Sequence, residues 1–382
     1  MNHPDSTSNV ARIMGGRVRA AREAISLTQQ QLTDALGFAD RQTLSAIENG
    51  NRRVQAAELV QLSQVLRRSI DWFIDPFVIA GEANFSWRVS KTLPDSTLED
   101  FESHIGHVVG LFRHLRVVLK GPSKAITQIL RLPQRATFED AWEAGEAVTK
   151  ELDLGLIPAE LLAERVESRL AIPVLFIDAD IGSSPNEISG AMCRLHDLEV
   201  IMINRRESRV RRNYDLAHEL FHALTWDALQ PEHRENAEES EAQPQVHKRR
   251  IEQLADNFAS AVLMPKSSLT HFIDPARYGD PRHLTEVASQ LQVSTQALAY
   301  RLYNLKMIDQ PTCLALCKPN GATPRCKADT PKLLSGSFVS LLHDGIARGH
   351  ISARKAAKAL SMTLDQLAEL MREHEKNVPF AI

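Results

Sequence analysis

Apolar residues recur at helical spacing through residues 10–75, in short runs broken by turn residues. "VARIMGGRVRAAREAI" (10–25) is amphipathic, and "TQQQLTDALG" (28–37) opens on a candidate N-cap, Thr28, and stops at Gly37. "ADRQTLSAIENGN" and "QAAELVQLSQVLRRSIDWFI" continue the pattern, with Gly50 and Asn51 as a stop between them and Pro76 closing the module. The pattern predicts a compact helical bundle over residues 9–80, preceded by a polar start, "MNHPDSTSNV", that is expected to fray.

Beyond residue 80 the helical period returns in "LEDFESHIGHVVGLFRHLRVVL" and "FEDAWEAGEAVTKELDL", separated by a Gly-Pro break at 121–122 and by "RLPQRA". This reads as a helical connector over 81–150. "AELLAERVESRLA" is a helix leading into "IPVLFIDAD", a β-branched strand pattern, and "LEVIMIN" is a second strand just ahead of a long apolar-periodic helix. Residues 227–248 are polar and Glu-rich, as expected of a mobile loop, and helical pattern resumes at "RRIEQLADNFASAVLMP". The expected architecture is mainly α with a small β-sheet, an α+β class. It comprises the helical bundle, the connector, a domain over 151–310, and a region over 311–382 with short strands and then a helical tail.

Composition narrows the picture little. With 382 residues, 24% charged and 43% apolar, the chain has room for more than one domain, and a net charge of -3 gives no global reason to expect nucleic-acid or membrane binding. Four cysteines, without an apolar run long enough to cross a bilayer, point to a reducing cytoplasm and no membrane role. No solenoid-length repeat or glycine-rich phosphate loop is present.

The chemistry concentrates in "NYDLAHELFHALTW" (213–226). On a helix His218 and His222 lie on one face one turn apart, where both imidazoles can reach one tetrahedral zinc, while Glu219 sits beside them to take a proton from water. Two ordinary helix histidines would give the same spacing. The helix is otherwise apolar, however, and in "IEQLADNFASAVLMP" Glu252 and Asp256 are spaced to point one way, the first as a third ligand and the second as partner of a histidine N–H. His-Glu-x-x-His followed by Glu-x-x-x-Asp resembles the gluzincin arrangement of thermolysin-like peptidases.

"NYDLAHELFH", "EQLADNFASAVLMP" and "LTEVASQLQVSTQALAYRLYNLKMI" occur in the order seen in the ImmA/IrrE metallopeptidases, which the chain resembles over about residues 155–308. The resemblance implies a cytoplasmic zinc endopeptidase domain with one Zn2+ per chain, often devoted to cutting a repressor or regulating a partner encoded nearby. Phe221 stands where many members carry glycine and is expected to narrow the cleft. "LTQQQLTDALGFADRQTLSAIENGNR" is similar to the helix-turn-helix of the XRE (Cro-type) repressors. In that reading Gln29 braces the DNA backbone, Arg41, Gln42, Thr43 and Ser45 face the major groove, and Asn49, Asn51 and Arg52 meet phosphates. The expected partner is double-stranded DNA at the chain's own promoter, bound by a homodimer. A helical bundle used only for protein contacts is the alternative.

"RRESRVRR" (205–212) reads first as a solvated basic loop, with contact to nucleic acid or an acidic partner left open, and "CLALCKPNGATPRC" as a buried strand pair plus a loop thiol rather than a second zinc site. A cysteine among Cys313, Cys317 and Cys326 acting as a latch on the catalytic zinc is a further option. Two functions follow: a DNA-binding regulator that is also a zinc endopeptidase acting on itself or an operon-encoded protein, or an antitoxin or repressor that uses the peptidase fold as a platform for a toxin partner or signal.

Overall fold

The computed structural model describes residues 4–121, 130, 132–133, 135–179, 187–236, 246–317 and 330–381. The first module holds α1 (Pro4–Ala24), α2 (Gln29–Leu36), α3 (Arg41–Glu48), α4 (Ala56–Val65) and α5 (Ile70–Ile74). Local signals set its boundaries. Thr28 and Gln31 form a reciprocal capping box at the start of α2, Gly37 ends it in the left-handed conformation (φ 65°), and Asp40 caps α3. Val18, Leu32, Leu44, Ile47, Leu62 and Phe73 bury together as the module's core. Helix α1 begins at Pro4, inside the stretch expected to fray.

The chain continues through β1 (Asn84–Val89), α6 (Asp95–Lys120), α7 (Phe138–Glu151), α8 (Pro158–Leu170), β2 (Val174–Ile177), β3 (Ile188–Arg194), β4 (Glu199–Asn204), α9 (Arg209–Thr225) and β5 (Arg234–Asn236). Helices α10 (Val246–Leu263), α11 (Lys266–Phe272), α12 (Pro281–Gln290), α13 (Thr295–Asn304), α14 (Gln310–Leu316), α15 (Gly336–Ala347), α16 (Ala353–Ala359) and α17 (Leu364–Glu373) follow. The strands form one five-stranded sheet in the order β2-β4-β3-β1-β5. β1 runs antiparallel to β3, and β3 to β4, whereas β2 and β5 run parallel to their neighbours.

Strand alternation turns this sheet into a partition between two cores. Val174, Met192, Ile201 and Ile203 pack toward Leu216 and Leu220 of α9 and Leu254 and Phe258 of α10. Phe85, Trp87, Ala191, Cys193, Val200 and Met202 face the other way, onto Phe101, Ile105 and Phe112 of α6, Phe338 and Leu342 of α15, and Leu367 and Met371 of α17. Both faces are covered, so the strands are buried almost throughout.

This arrangement corrects the expected organisation. Residues 81–150 are no mere connector: β1 is an inner strand, α6 covers the back of the sheet, and α7 packs on the front, where Trp142 Nε1 donates to Asn257 Oδ1 of α10 at 2.6 Å. The described part of 311–382 contains no strands. Cys313 sits on α14 and Cys317 caps it, while α15 to α17 complete the back layer. Cys326 and residues 237–245 of the expected loop lie outside the described residues.

The first module is joined closely to this body. Arg17 of α1, almost fully buried, donates to the carbonyl oxygens of Phe73 at 2.6 Å and of Val78, in the segment that leaves the module's last helix. Gly110 of α6 lies against the same exit segment, where an added Cβ would run into the Phe77 carbonyl oxygen. Among the described residues no helix is long and apolar enough to cross a membrane.

Candidate metal centre and nucleic-acid interface

Helix α9 starts where the Ser208 side chain accepts from the Arg211 amide, and its last turns run through the front core. From Asp215 to Thr225 every residue of the helix is buried, including His218 (1% exposed), Glu219 (0%) and His222 (0%). Burying three polar side chains among leucines is costly unless they are paired or ligate a metal. Helix α10 supplies what they meet. His218 Nε2 lies 3.1 Å from Glu252 Oε2 and 3.1 Å from His222 Nε2, and His222 Nε2 is 3.6 Å from Glu252 Oε1. The ligand atoms of His218, His222 and Glu252 all fall within 4.8 Å of one another, the one such cluster among the described residues.

Asp256, one turn after Glu252, stands 3.0 Å from His218 Nδ1. A carboxylate at that distance can hold a proton on Nδ1, which would leave Nε2 to ligate a metal. Two imidazole nitrogens and a carboxylate oxygen converging on one point form the donor set zinc takes, so these residues fit the metal that the spacing predicts. Burial pushes the Glu252 carboxyl up, but the charge of His222 and the hydrogen bond with His218 outweigh it, holding Glu252 well below the usual carboxylate range. Glu219 lies over β3, where a Cβ on Gly190 would approach its Cγ to 3.5 Å.

Two further groups of the site escaped the sequence pattern. Arg88 of β1 places Nε 3.6 Å from Asp215 Oδ1 and Nη2 3.8 Å from Asp256 Oδ1, and Asp215 is fully buried one turn before Glu219. Burial opposes the Arg88 charge, but Asp215, Asp256 and Glu219 outweigh it and raise its pKa further. The only hint in the sequence was a charge within the β-prone "NFSWRV".

Other expectations are corrected by packing. Phe221 does not narrow a cleft: it is fully buried against Phe258, ring centroids 5.5 Å apart. The arginines of 205–212 are not a free basic loop, because Arg205 and Arg206 pair with Asp178, Arg211 with Asp215, and the buried Arg212 donates to the Glu207 carbonyl oxygen. The metal-compatible cluster includes neither Cys313 nor Cys317, so neither is a latch on it.

In the first module, Arg41 and Gln42 are exposed at the amino end of α3, and Asn51 is exposed beyond its carboxyl end. The other residues read as DNA contacts are engaged within the protein. Gln29 Nε2 donates to the buried Glu48 at 2.8 Å, and Thr43 bonds the Asp40 cap through both its amide and its hydroxyl. Asn49 accepts from Arg19 at 2.7 Å and donates to Ser45 at 3.3 Å. Arg52 is held by both oxygens of Glu58, at 2.7 and 3.0 Å, which offsets the charge expected to meet phosphate.

Residues 18–73 match the family described as helix-turn-helix, and residues 168–303 match the family described as IrrE N-terminal-like domain. The chain thus joins a stretch similar to helix-turn-helix domains to one similar to the IrrE N-terminal-like domain. Over 133 residues it is 34% identical to the radiation response metalloprotease IrrE of Deinococcus radiodurans. That match covers 34% of this chain and 37% of the relative, so the chain spans little more than a third of the relative's length. A Mycobacterium tuberculosis transcriptional regulator is similar over 43% of this chain and 46% of its own, with a TM-score of 0.31 and 20% identity. The IrrE-like match takes in β3, β4, α9 and α10 but leaves out β1, α6 and α15 to α17, which complete the sheet and its back layer.

Proposed function

We propose that this chain is a cytoplasmic DNA-binding regulator whose IrrE-like domain is a zinc-dependent endopeptidase, cutting either the chain itself or a repressor or partner protein encoded beside it. The observation that carries the reading is the convergence of His218, His222 and Glu252 from two helices, with Glu219 buried next to them. His218, His222 and Glu252 hold one Zn2+ per chain, and Asp256 orients the His218 ring through Nδ1. When bound, zinc supplies a Lewis acid that acidifies water and polarises the scissile carbonyl. Glu219 accepts the proton of the attacking water and returns it to the departing amine. Cleavage of the purified chain or of the neighbouring gene products should stop on chelation and return when zinc is restored. Cleavage that survives complete removal of metal would sink the zinc mechanism.

Residues 9–80 bind duplex DNA as a homodimer on an inverted repeat at the chain's own promoter. Arg41 and Gln42 are the residues free to read bases, Asn51 is free to meet phosphate, and Gln29, Thr43, Ser45 and Asn49 shape the surface that presents them. Gel-shift titrations on promoter fragments should give affinities that fall steeply with salt, and Gln42→Ala should relax the preferred sequence at about 1–3 kcal/mol for the lost base contact. Binding that ignores salt, or no binding across the promoter, would count against this.

A further inference from the structure

We propose that Arg88 is a positioning residue of the metal centre, holding Asp256 and, through it, the His218 ring. The inference rests on the zinc reading of the site and adds to it a group from outside the IrrE-like match. Arg88 is 9% exposed, on an inner strand, directly across from Gly190 and therefore beside the space that Glu219 occupies. The pairing of β1 with β3 shifts register between Arg88 and Val89, an irregularity of the kind that re-aims a side chain out of the regular pleat.

From that place the guanidinium reaches two helices at once. Its Nε faces Asp215 of α9 and its Nη2 faces Asp256 of α10, at 3.6 and 3.8 Å. The Asp256 atom it faces, Oδ1, is the same oxygen that meets His218 Nδ1. The Asp256 side chain is 46% exposed and so has a route to water, and the buried cation on its inner side keeps the carboxylate turned toward His218. A buried arginine is a poor stabiliser of a fold by itself, and among the described residues the buried Arg88 Nη1 has no hydrogen-bond partner. Its charge also repels a divalent cation. Attraction to the metal therefore does not account for it, whereas holding the carboxylate that aims a ligand does.

A test has to separate the shape of the guanidinium from its charge, and Arg88→Lys does so by keeping the charge while losing the two-point reach. Zinc affinity of the full chain is measured by competition with a chromophoric chelator for wild type, Arg88→Lys, Asp256→Asn and the double variant, with the thermal midpoint of the metal-free proteins recorded alongside. The expected result is a loss of about tenfold for Arg88→Lys, on the scale of outer-shell partners, and no further loss when it is added to Asp256→Asn. A purely structural arginine would lower the midpoint and leave zinc affinity unchanged. If Arg88→Lys does not fold, Arg88→Gln is used in the same cycle, and its effect on affinity should differ about tenfold between the wild-type and Asp256→Asn backgrounds. Wild-type protein that takes up no zinc overturns both the site reading and the role of Arg88. Tight zinc binding in wild type, with Arg88→Lys within about twofold of it or with losses that multiply in the double variant, overturns the role of Arg88 alone.

Discussion

Glu219→Gln should leave zinc bound and lower hydrolysis on the order of a hundredfold or more, the usual cost of losing a general base. Glutamine keeps the volume of the side chain in a position that is 0% exposed and sits close above Gly190, so packing is preserved. What is lost is the ability to accept a proton from water. Glu219 is outside the cluster of His218, His222 and Glu252, so metal content should match wild type. DNA binding should also match, because α3 and its exposed Arg41 and Gln42 belong to a separate core. Comparing wild type and variant for release of repression in cells, and for cleavage of the chain or its operon partner, separates an enzyme from a platform. If the two regulate identically and no partner is ever cut, the domain serves as a platform and the peptidase reading falls.

Replacing the histidines acts one step earlier. His222→Ala should take purified protein from about one zinc per chain to nearly none, since two remaining donors hold zinc poorly. His218→Ala should do the same and also leave Asp256 without its imidazole partner. Asp256→Ala, which removes an orienting group and no ligand, should weaken binding by only about ten- to a hundredfold. Zinc stabilises the folded state by about 4 kcal/mol when present at a thousand times its dissociation constant, so the histidine variants should also lose the zinc-dependent rise in thermal midpoint. Elemental analysis finding the metal undiminished after both histidines are replaced would place it elsewhere and remove the assignment.

The site was legible where its geometry is local. One turn of helix separates His218 from His222 and Glu252 from Asp256, so their common faces follow from the helical period. That the two helices would cross with these faces opposed did not follow from period at all. It came from the resemblance, and in the fold it is met by Leu216 and Leu220 packing with Leu254 and Phe258 in one core. Arg88 and Asp215 show the limit. Their partners lie on other elements far along the chain, and nothing in the spacing of "NFSWRV" relates it to α9 or α10.

What the sequence determined by itself are features whose causes lie within a few residues: the helical period of α9 and α10, the Thr28–Gln31 capping box, and the Gly37 stop that shapes the helix-turn-helix. Tertiary structure alone decided that "NFSWRV" and "ISGAMCR" are inner strands. β1 carries the charged Arg88, and β3 carries Gly190 and Ala191 where a strand pattern favours larger residues, so only pairing with neighbours and cover on both faces makes them β. It also decided that α6 and α15 to α17, which read as a connector and a tail, form one layer behind the five-stranded sheet, because their apolar faces match each other and the back of the strands. In the helix-turn-helix it turned Gln29 and Arg52 inward, since Glu48 and Glu58 lie within reach in the folded bundle. Helical period and capping act over one turn of chain, whereas strand pairing and buried charge depend on partners that only the folded packing brings together.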